Sequence, residues 1–222
     1  MKVANIIVFD IETGGFLTDD HKYGIAEIAM VAIDTETLKE IGRYEALIKP
    51  YKTHSGELTQ YTDGAFAVNG LSMEKLETGK DALVVAKEIV KFANDVKVGG
   101  RNGQAVLAGH NIDGFDLPYL GQFFELMKID ASKNFSKNSI DTLLWSRLVW
   151  TKDGSILDHK LGTVCSAAGI ELIDAHRAMV DVEATAELVK LFIGNMRGGG
   201  TSTEKKEELV SSGRKYRETF KF

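Results

Sequence analysis

The sequence has few of the residues that stabilise secreted proteins or anchor proteins in membranes. It contains one cysteine, Cys165, and two prolines in 222 residues. A single cysteine excludes an internal disulfide, and its small apolar neighbours predict a buried, reduced thiol, as in cytosolic proteins. The first apolar run meets Asp10 too early for a signal peptide, and no run reaches the roughly 18 apolar residues of a membrane span. We therefore expect a cytoplasmic protein without membrane contact.

Positive charge is also scarce. The chain has 27 Lys and Arg against 32 Asp and Glu, a net charge of −5. Proteins that hold phosphates through their own surface charge usually carry an excess of basic residues. The balance therefore argues against a sequence-specific duplex binder. It does not argue against a metal-dependent nuclease, because bound divalent cations bring positive charge to the place where the phosphate sits.

Hydrophobic periodicity predicts an α/β domain, for which the 44% of apolar residues provide a core. Apolar runs typical of buried strands occur at residues 6–9, 25–33, 41–48 and 105–108, and a short strand is expected near Ile140. Helical spacing occurs at residues 81–96, from 116 onward, and at 143–149, 161–168 and 181–196. Residues 51–79 are polar and irregular, with one apolar island at 65–71. This order of elements predicts a mixed sheet flanked by helices.

The glycine-rich stretch that begins at residue 198 predicts a domain boundary. We expect one domain over residues 1–197 and a flexible linker and tail over residues 198–222. The last nine residues carry a net charge of +3 with three aromatic residues interleaved. Such a segment suits binding to single-stranded nucleic acid or docking on a polymerase, and a solvated tail is an equally good interpretation.

The first of three acidic clusters follows the first predicted strand, at residues 9–14 (FDIETG). Residues two apart in a strand point to the same side, so Asp10 and Glu12 project together. Two neighbouring carboxylates repel each other unless a cation lies between them. A solvated strand end explains such a pair as well. The buried strand before it favours a site, because the carboxyl edge of a sheet is where α/β proteins bind ligands.

The second and third clusters combine histidine with acidic residues. In residues 110–116 (HNIDGFD), Asp116 opens a helix, either as its N-cap or as a metal ligand. Asp113 competes for the ligand role, and Asp116 is favoured because Phe115 would anchor it against the core. In residues 176–181 (HRAMVD), the spacing predicts His176 on a loop and Asp181 in the first turn of a helix. An imidazole there is suited to accept a proton from water near neutral pH.

Taken together, the clusters resemble the Exo I, Exo II and Exo III motifs of the DnaQ-like 3′–5′ exonucleases of the DEDDh subgroup, in which polymerase III proofreading subunits are found. The resemblance covers about residues 6–196 and implies a ribonuclease H-like mixed sheet. Asp10, Glu12, Asp116 and Asp181 fall on the metal-binding carboxylates of the family, and His176 falls on its general base. Two Mg²⁺ or Mn²⁺ ions per site are implied.

The activity implied by this resemblance is release of nucleoside 5′-monophosphates from a single-stranded or frayed DNA 3′ end. Candidates for holding the terminal nucleotide are Thr13, Gly14, Val68, Asn69 and Asn111. A 3′–5′ exoribonuclease of the oligoribonuclease or RNase T type is the alternative within the same chemistry. A non-catalytic polymerase-associated scaffold is the alternative from another class. The acidic set argues against the scaffold, because clustered carboxylates repel without metal.

Overall fold

A computed structural model describes residues 4–100, 103–151, 156, 158–173 and 175–198. Its strands are β1 (Ile6–Thr13), β2 (Ile25–Ile33), β3 (Glu40–Leu47), β4 (Ala105–Gly109) and β5 (Phe135–Asp141). Its helices are α1 (Asp63–Asn69), α2 (Met73–Glu77), α3 (Ala82–Val96), α4 (Asp116–Leu126), α5 (Thr142–Val149), α6 (Leu161–Ala168) and α7 (Ala178–Met196). Of the predicted tail, all but residue 198 lies outside the described residues.

The described strands form one sheet with the order β3-β2-β1-β4-β5. The first three strands pair antiparallel, whereas β4 pairs parallel with both β1 and β5. The prediction of a mixed sheet flanked by helices is therefore confirmed. Every residue of β2 is buried, as expected for a strand with neighbours on both edges and helices on both faces.

The two faces of the sheet carry separate cores, and β1 contributes to both. Phe9 and the odd-numbered residues beside it pack with α3 and α4. Val8 and the even-numbered residue before it pack with α7. Because side chains alternate along a strand, Asp10 and Glu12 continue the even-numbered series toward the α7 face. The predicted position of Asp10 and Glu12 on one side of β1 thus places them on the face of the sheet that α7 covers, and not on the face that α3 and α4 cover.

Two strands are longer than predicted. β1 continues past Phe9 to Thr13, because β2 pairs with it along the whole length, with Glu12 opposite Glu27. β5 covers seven residues around Ile140, most of them polar and partly exposed. Such a strand lies at the sheet edge, where one side chain series and one backbone edge face solvent, so hydrophobicity alone does not reveal it.

The prediction that the polar segment over residues 51–79 is irregular is wrong in part, because the segment holds α1 and α2. Each helix has a hydroxyl N-cap: Thr62 accepts from the Ala65 N–H at 3.1 Å, and Ser72 accepts from the Lys75 N–H at 3.3 Å. With seven and five residues, these helices are too short to show a helical repeat in the sequence. Local capping and packing decide their conformation instead.

The environment of Cys165 agrees with the sequence prediction. The residue belongs to α6 and is buried where α6 packs against α7, and burial raises the pKa of its thiol to about 12, with a smaller contribution from Asp181. The thiol therefore stays protonated and unreactive at neutral pH. Among the residues described, no helix combines the length and the apolar character needed to cross a membrane.

Helix α3 offers a matched test of the core beneath the sheet. Ile89 is fully buried, whereas Leu83 on the same helix is 45% exposed. We expect Ile89→Ala to lower the free energy of unfolding by about 2–5 kcal/mol, because it leaves a cavity in a packed core. Leu83→Ala should cost about 1 kcal/mol or less. Urea unfolding of the two variants checks this, and equal losses would contradict the packing described for α3.

Candidate metal centre

Three carboxylates from two distant parts of the chain meet at the end of the sheet. Asp10, Glu12 and Asp181 each offer an oxygen, and these oxygens lie within 4.8 Å of one another. The first two come from the α7 face of β1, and Asp181 lies in the first turn of α7. In the part of the chain that the structure describes, no other group of three potential metal ligands is this compact.

Asp116 approaches the same carboxylates from the edge of β1 that faces β4. The ladder between β1 and β4 ends at the pair Val8 and Ala108, and beyond it the Ile11 N–H donates to Asp116 Oδ1 at 3.2 Å. Asp116 is 3% exposed and is the first residue of α4, directly after the N-cap residue Phe115. The carboxylate therefore bonds to β1, the strand that carries Asp10 and Glu12.

The rival candidate, Asp113, faces elsewhere. Its side chain is exposed and accepts a hydrogen bond from the hydroxyl of Ser139 on β5. Phe115 packs on the core and against the ring of Tyr119, with 5.3 Å between the ring centroids. The structure thus brings Asp116, and not Asp113, to the carboxylates of β1.

Burial and mutual repulsion act together on these carboxylates. Burial is the largest cause that raises the pKa of Asp10 well above its ordinary value, followed by the charges of Asp116, Glu12 and Asp181. Burial, and then Asp181 and Glu27, raise the pKa of Glu12 to about 8. Burial also raises the pKa of Asp116 to about 8 and the pKa of Asp181. Without a cation, Glu12 and Asp116 hold their protons into the neutral range.

The donor atoms fit a hard divalent cation. Oδ1 of Asp181 is buried and makes no hydrogen bond, although its other oxygen accepts from the His176 N–H at 3.1 Å. A buried carboxylate oxygen without a partner is costly, and a cation would satisfy it. An all-oxygen set of carboxylates is the donor type preferred by Mg²⁺ and Mn²⁺. The site therefore has the chemistry that such ions require.

His176 lies at the rim of the carboxylate cluster. It is exposed and precedes α7, as the sequence spacing predicts. Its backbone adopts φ +73°, a left-handed conformation that costs a non-glycine residue on the order of 1 kcal/mol. The bond from its N–H to Asp181 ties this conformation to a carboxylate of the cluster. The imidazole is thus held near the acidic groups by its backbone.

The segment after β1 is fixed by backbone packing. The Thr13 hydroxyl donates to the Gly15 carbonyl at 2.7 Å, so this buried side chain is already engaged. A Cβ on Gly14 would lie 2.1 Å from the carbonyl oxygen of Gln60, which explains the glycine by close approach of two backbones. Thr13 and Gly14 are both predicted substrate contacts. The Thr13 side chain is buried, and the space beside the Gly14 Cα is filled by backbone.

The remaining predicted substrate contacts divide into one interior and two exposed residues. Asn69 is buried, and its side-chain oxygen accepts from the Leu71 N–H at 3.0 Å. Val68 and Asn111 are exposed. Asn111 adopts φ +63°, and its N–H donates to the Asp141 carboxylate at 2.9 Å. Only the two exposed residues offer their side chains at the surface.

A buried acidic residue, Glu27, was missed by the sequence analysis. It lies on the α7 face of β2, accepts two bonds from the Arg177 guanidinium at 3.0 and 3.3 Å, and accepts from the Ala178 N–H at 3.3 Å. Its signal in the sequence is a single charge inside a nine-residue buried strand. A charge in such a run needs a partner, so the residue could have been found, although its partner could not.

Comparison with known proteins identifies relatives of the whole domain. The family model described as Exonuclease, of the RNase T type, matches residues 7–189. The PolC-type DNA polymerase III of Halalkalibacterium halodurans is 29% identical over 186 residues, and that of Staphylococcus saprophyticus is 31% identical over the same length. Each alignment covers 84% of this chain and 11% of the polymerase. The chain thus spans about a ninth of the length of these relatives.

Solved structures share the fold. A crystal structure of E. coli exonuclease I in complex with a dT13 oligonucleotide aligns with a TM-score of 0.66 and 22% identity, covering 84% of this chain and 40% of the other. The zinc-bound form of the E. coli exonuclease I complex with single-stranded DNA aligns with a TM-score of 0.67 and 22% identity, covering 88% and 41%. At this identity the likeness concerns the fold.

The raised pKa values predict how the stability of the metal-free protein depends on pH. Glu12 has a pKa near 8 in the folded state and near 4.5 when unfolded, so the folded state binds more protons between these values. The free energy of unfolding should therefore fall as the pH rises from about 5 to about 8. In Glu12→Gln, which has no proton to lose, this decline should be shallower.

Urea unfolding in the presence of a chelator, at several pH values across that range, measures both slopes. Glu183→Gln is a matched control, because Glu183 lies on α7 with a half-exposed side chain that pairs with Arg43. Its slope should equal that of the parent. Equal slopes for the parent and Glu12→Gln would contradict the crowding of carboxylates described here.

Proposed function

The chain belongs to the RNase T exonuclease family, and from this premise we propose that it is a metal-dependent 3′–5′ exonuclease acting on DNA. It would release nucleoside 5′-monophosphates one at a time from a single-stranded or frayed 3′ end. The observation that carries the proposal is the meeting of three carboxylates within 4.8 Å, with Asp116 bonded to the strand that holds two of them. Repulsion of this kind is tolerated where a cation is bound.

Two Mg²⁺ or Mn²⁺ ions are the proposed cofactors. Asp10, Glu12 and Asp181 would hold one ion, and Asp10 with Asp116 would hold the other. When bound, such ions offset phosphate charge and make water a better nucleophile at neutral pH. The unpartnered oxygen of Asp181 supports this assignment, as does the net acidity of a protein that must still approach a polyanion.

The remaining roles fall to groups around the carboxylates. His176 is the proposed general base, which accepts the proton of the attacking water. Its exposure and its backbone bond to Asp181 support this role. The side chain can face a substrate, because it is exposed, while the backbone that carries it is fixed. Val68 and Asn111 are the proposed side-chain contacts to the terminal nucleotide, since both are exposed. Thr13, Gly14 and Asn69 would act through the shape of the backbone.

DNA is the favoured substrate because the sequence relatives are DNA polymerases and the structural relative carries a DNA oligonucleotide. A polymerase is accordingly a proposed partner, through residues 198–222. A cytoplasmic location is proposed with it, supported by the buried lone thiol. The second candidate is an exoribonuclease, favoured by the RNase T type of the matching family. A non-catalytic scaffold is disfavoured by the unpartnered acidic oxygen.

Removal of the proposed metal ligand or general base tests the mechanism. Asp10→Ala and His176→Ala should each slow the shortening of a 5′-labelled single-stranded DNA with Mg²⁺ by at least about 100-fold, because each removes a group acting in the transition state. His54→Ala is the control, since its side chain is 54% exposed and pairs with Glu125 outside the site. If either site variant digests DNA as fast as the parent, its assigned role is wrong.

The sugar preference has its own test. Matched DNA and RNA 15-mers of one sequence, each labelled at the 5′ end, are digested in parallel and compared by kcat/KM. We expect the DNA to be shortened faster, with 5′-mononucleotides as product. Faster digestion of the RNA would replace the leading proposal by the exoribonuclease, and products with a 3′-phosphate would overturn both.

A further inference from the structure

We propose that Glu27 and Arg177 form a clamp that positions the His176–Asp181 segment on the carboxylates of β1. This inference rests on the proposed function, because it assigns a positioning role in the same site. Neither residue belongs to the carboxylate set, and Arg177 lies between the proposed base and the helix that carries a proposed ligand. The clamp would act through these neighbours and not on the substrate.

The clamp is a cap supplied from across the fold. The N-cap position of α7 is Arg177, whose own side chain makes no capping bond. Glu27 on β2 takes that place, since its Oε2 accepts from the Ala178 N–H at 3.3 Å. The first N–H groups of a helix lack partners within the helix, and a carboxylate there also interacts favourably with the helix dipole. The start of α7 is therefore fastened to the centre of the sheet.

The Arg177 side chain completes the attachment with a planar fork. Its Nη2 lies 3.0 Å from Glu27 Oε1 and its Nε lies 3.3 Å from Oε2. The Glu27 side chain is 2% exposed and that of Arg177 is 43% exposed, so the carboxylate is fixed in the interior and the guanidinium closes over it. A bidentate bond of this type sets the orientation of both groups as well as their distance.

The residues on either side of the clamp explain what it holds. His176 precedes it in a left-handed conformation, and Asp181 follows it one helical turn later. The two are joined by the bond from the His176 N–H to Asp181. With Arg177 fixed between them, the backbone that carries the imidazole and the Asp181 carboxylate is held in one position relative to the sheet. Displacements of about 1 Å in such groups reduce turnover by as much as about 100-fold.

Stability alone is a poor reason for this arrangement. Glu27 lies directly opposite Glu12 in the ladder between β1 and β2, so it adds negative charge beside carboxylates that already repel. A buried ion pair is often no more stabilising than apolar residues of the same volume. A charged pair at this position therefore fits a requirement for geometry, which an apolar pair in the same space would not provide.

A double-mutant cycle tests the clamp. Glu27→Gln, Arg177→Gln and the double variant are compared with the parent for kcat and KM on a single-stranded DNA oligonucleotide with Mg²⁺. We expect each single substitution to lower kcat by about 10- to 100-fold with little change in KM, and the double variant to be no slower than the singles. Arg177→Lys keeps the charge without the fork and should restore kcat only in part.

Arg43 and Glu183 provide a matched control pair. They also join the sheet to α7, at 2.9 Å, but with both side chains about half exposed and away from the carboxylates. Arg43→Gln and Glu183→Gln should leave kcat within about two-fold of the parent. Additive effects at Glu27 and Arg177, or losses of thermal stability with unchanged kcat per folded molecule, would overturn the positioning role. Arg177→Lys keeps Glu27 in place and serves if Glu27→Gln does not fold.

Amide hydrogen exchange separates this inference from the proposed function. In the parent, the N–H groups of His176 and Ala178 should exchange slowly, and both should exchange faster in Arg177→Gln. This readout does not require nuclease activity. If the parent protein digests neither DNA nor RNA, the proposed function fails, while the exchange rates still decide the clamp. If exchange is unchanged in Arg177→Gln, the clamp is wrong whatever the activity.

Discussion

Repulsion among carboxylates is the constraint on which the rest of this structure depends. Four acidic groups are held together at one end of the sheet, three of them with oxygens within 4.8 Å. Burial raises the pKa of each, and the charges of the other carboxylates raise the pKa of Asp10 and Glu12 further, so the folded protein holds the groups together at a cost. Packing of the surrounding residues must offset this cost of burial and repulsion. The buried strands β1 and β2 and the long helix α7 do so, since two cores lie directly behind the site.

Much of the fold could be predicted because long buried elements leave strong patterns. The bounds of β2 and α6 agree with the sequence prediction, the first from an apolar run with one charge and the second from helical spacing. The short helices α1 and α2 could not be predicted, since their conformation depends on the hydroxyl caps Thr62 and Ser72 and on tertiary packing. The polar edge strand β5 was underestimated for the same reason: its partner, and not its composition, makes it a strand.

The site was predictable where the alternation of side chains along a strand, or the start of a helix, decides which way a side chain points. Strand parity sends Asp10 and Glu12 to one face, and the first turn of α7 carries Asp181. Partner choice lay beyond the sequence. Nothing local tells Asp116 to bond with Ile11, or Asp113 to bond with Ser139. Nor does a strand pattern reveal that Glu27 caps a helix about 150 residues away. These contacts follow from the assembled sheet, and the metal roles of the carboxylates stay predictions.

The placement of β1 has a consequence for how the protein is made. Its carboxylates are synthesised before their partners, since the strand pairs with β4 only after about a hundred further residues, and Asp181 follows later still. Contacts of such sequence separation form late in folding. A growing chain on the ribosome thus exposes Asp10 and Glu12 apart from their partners. The carboxylate cluster is complete only when α7 has joined the sheet, so an unfinished chain lacks part of the proposed metal site.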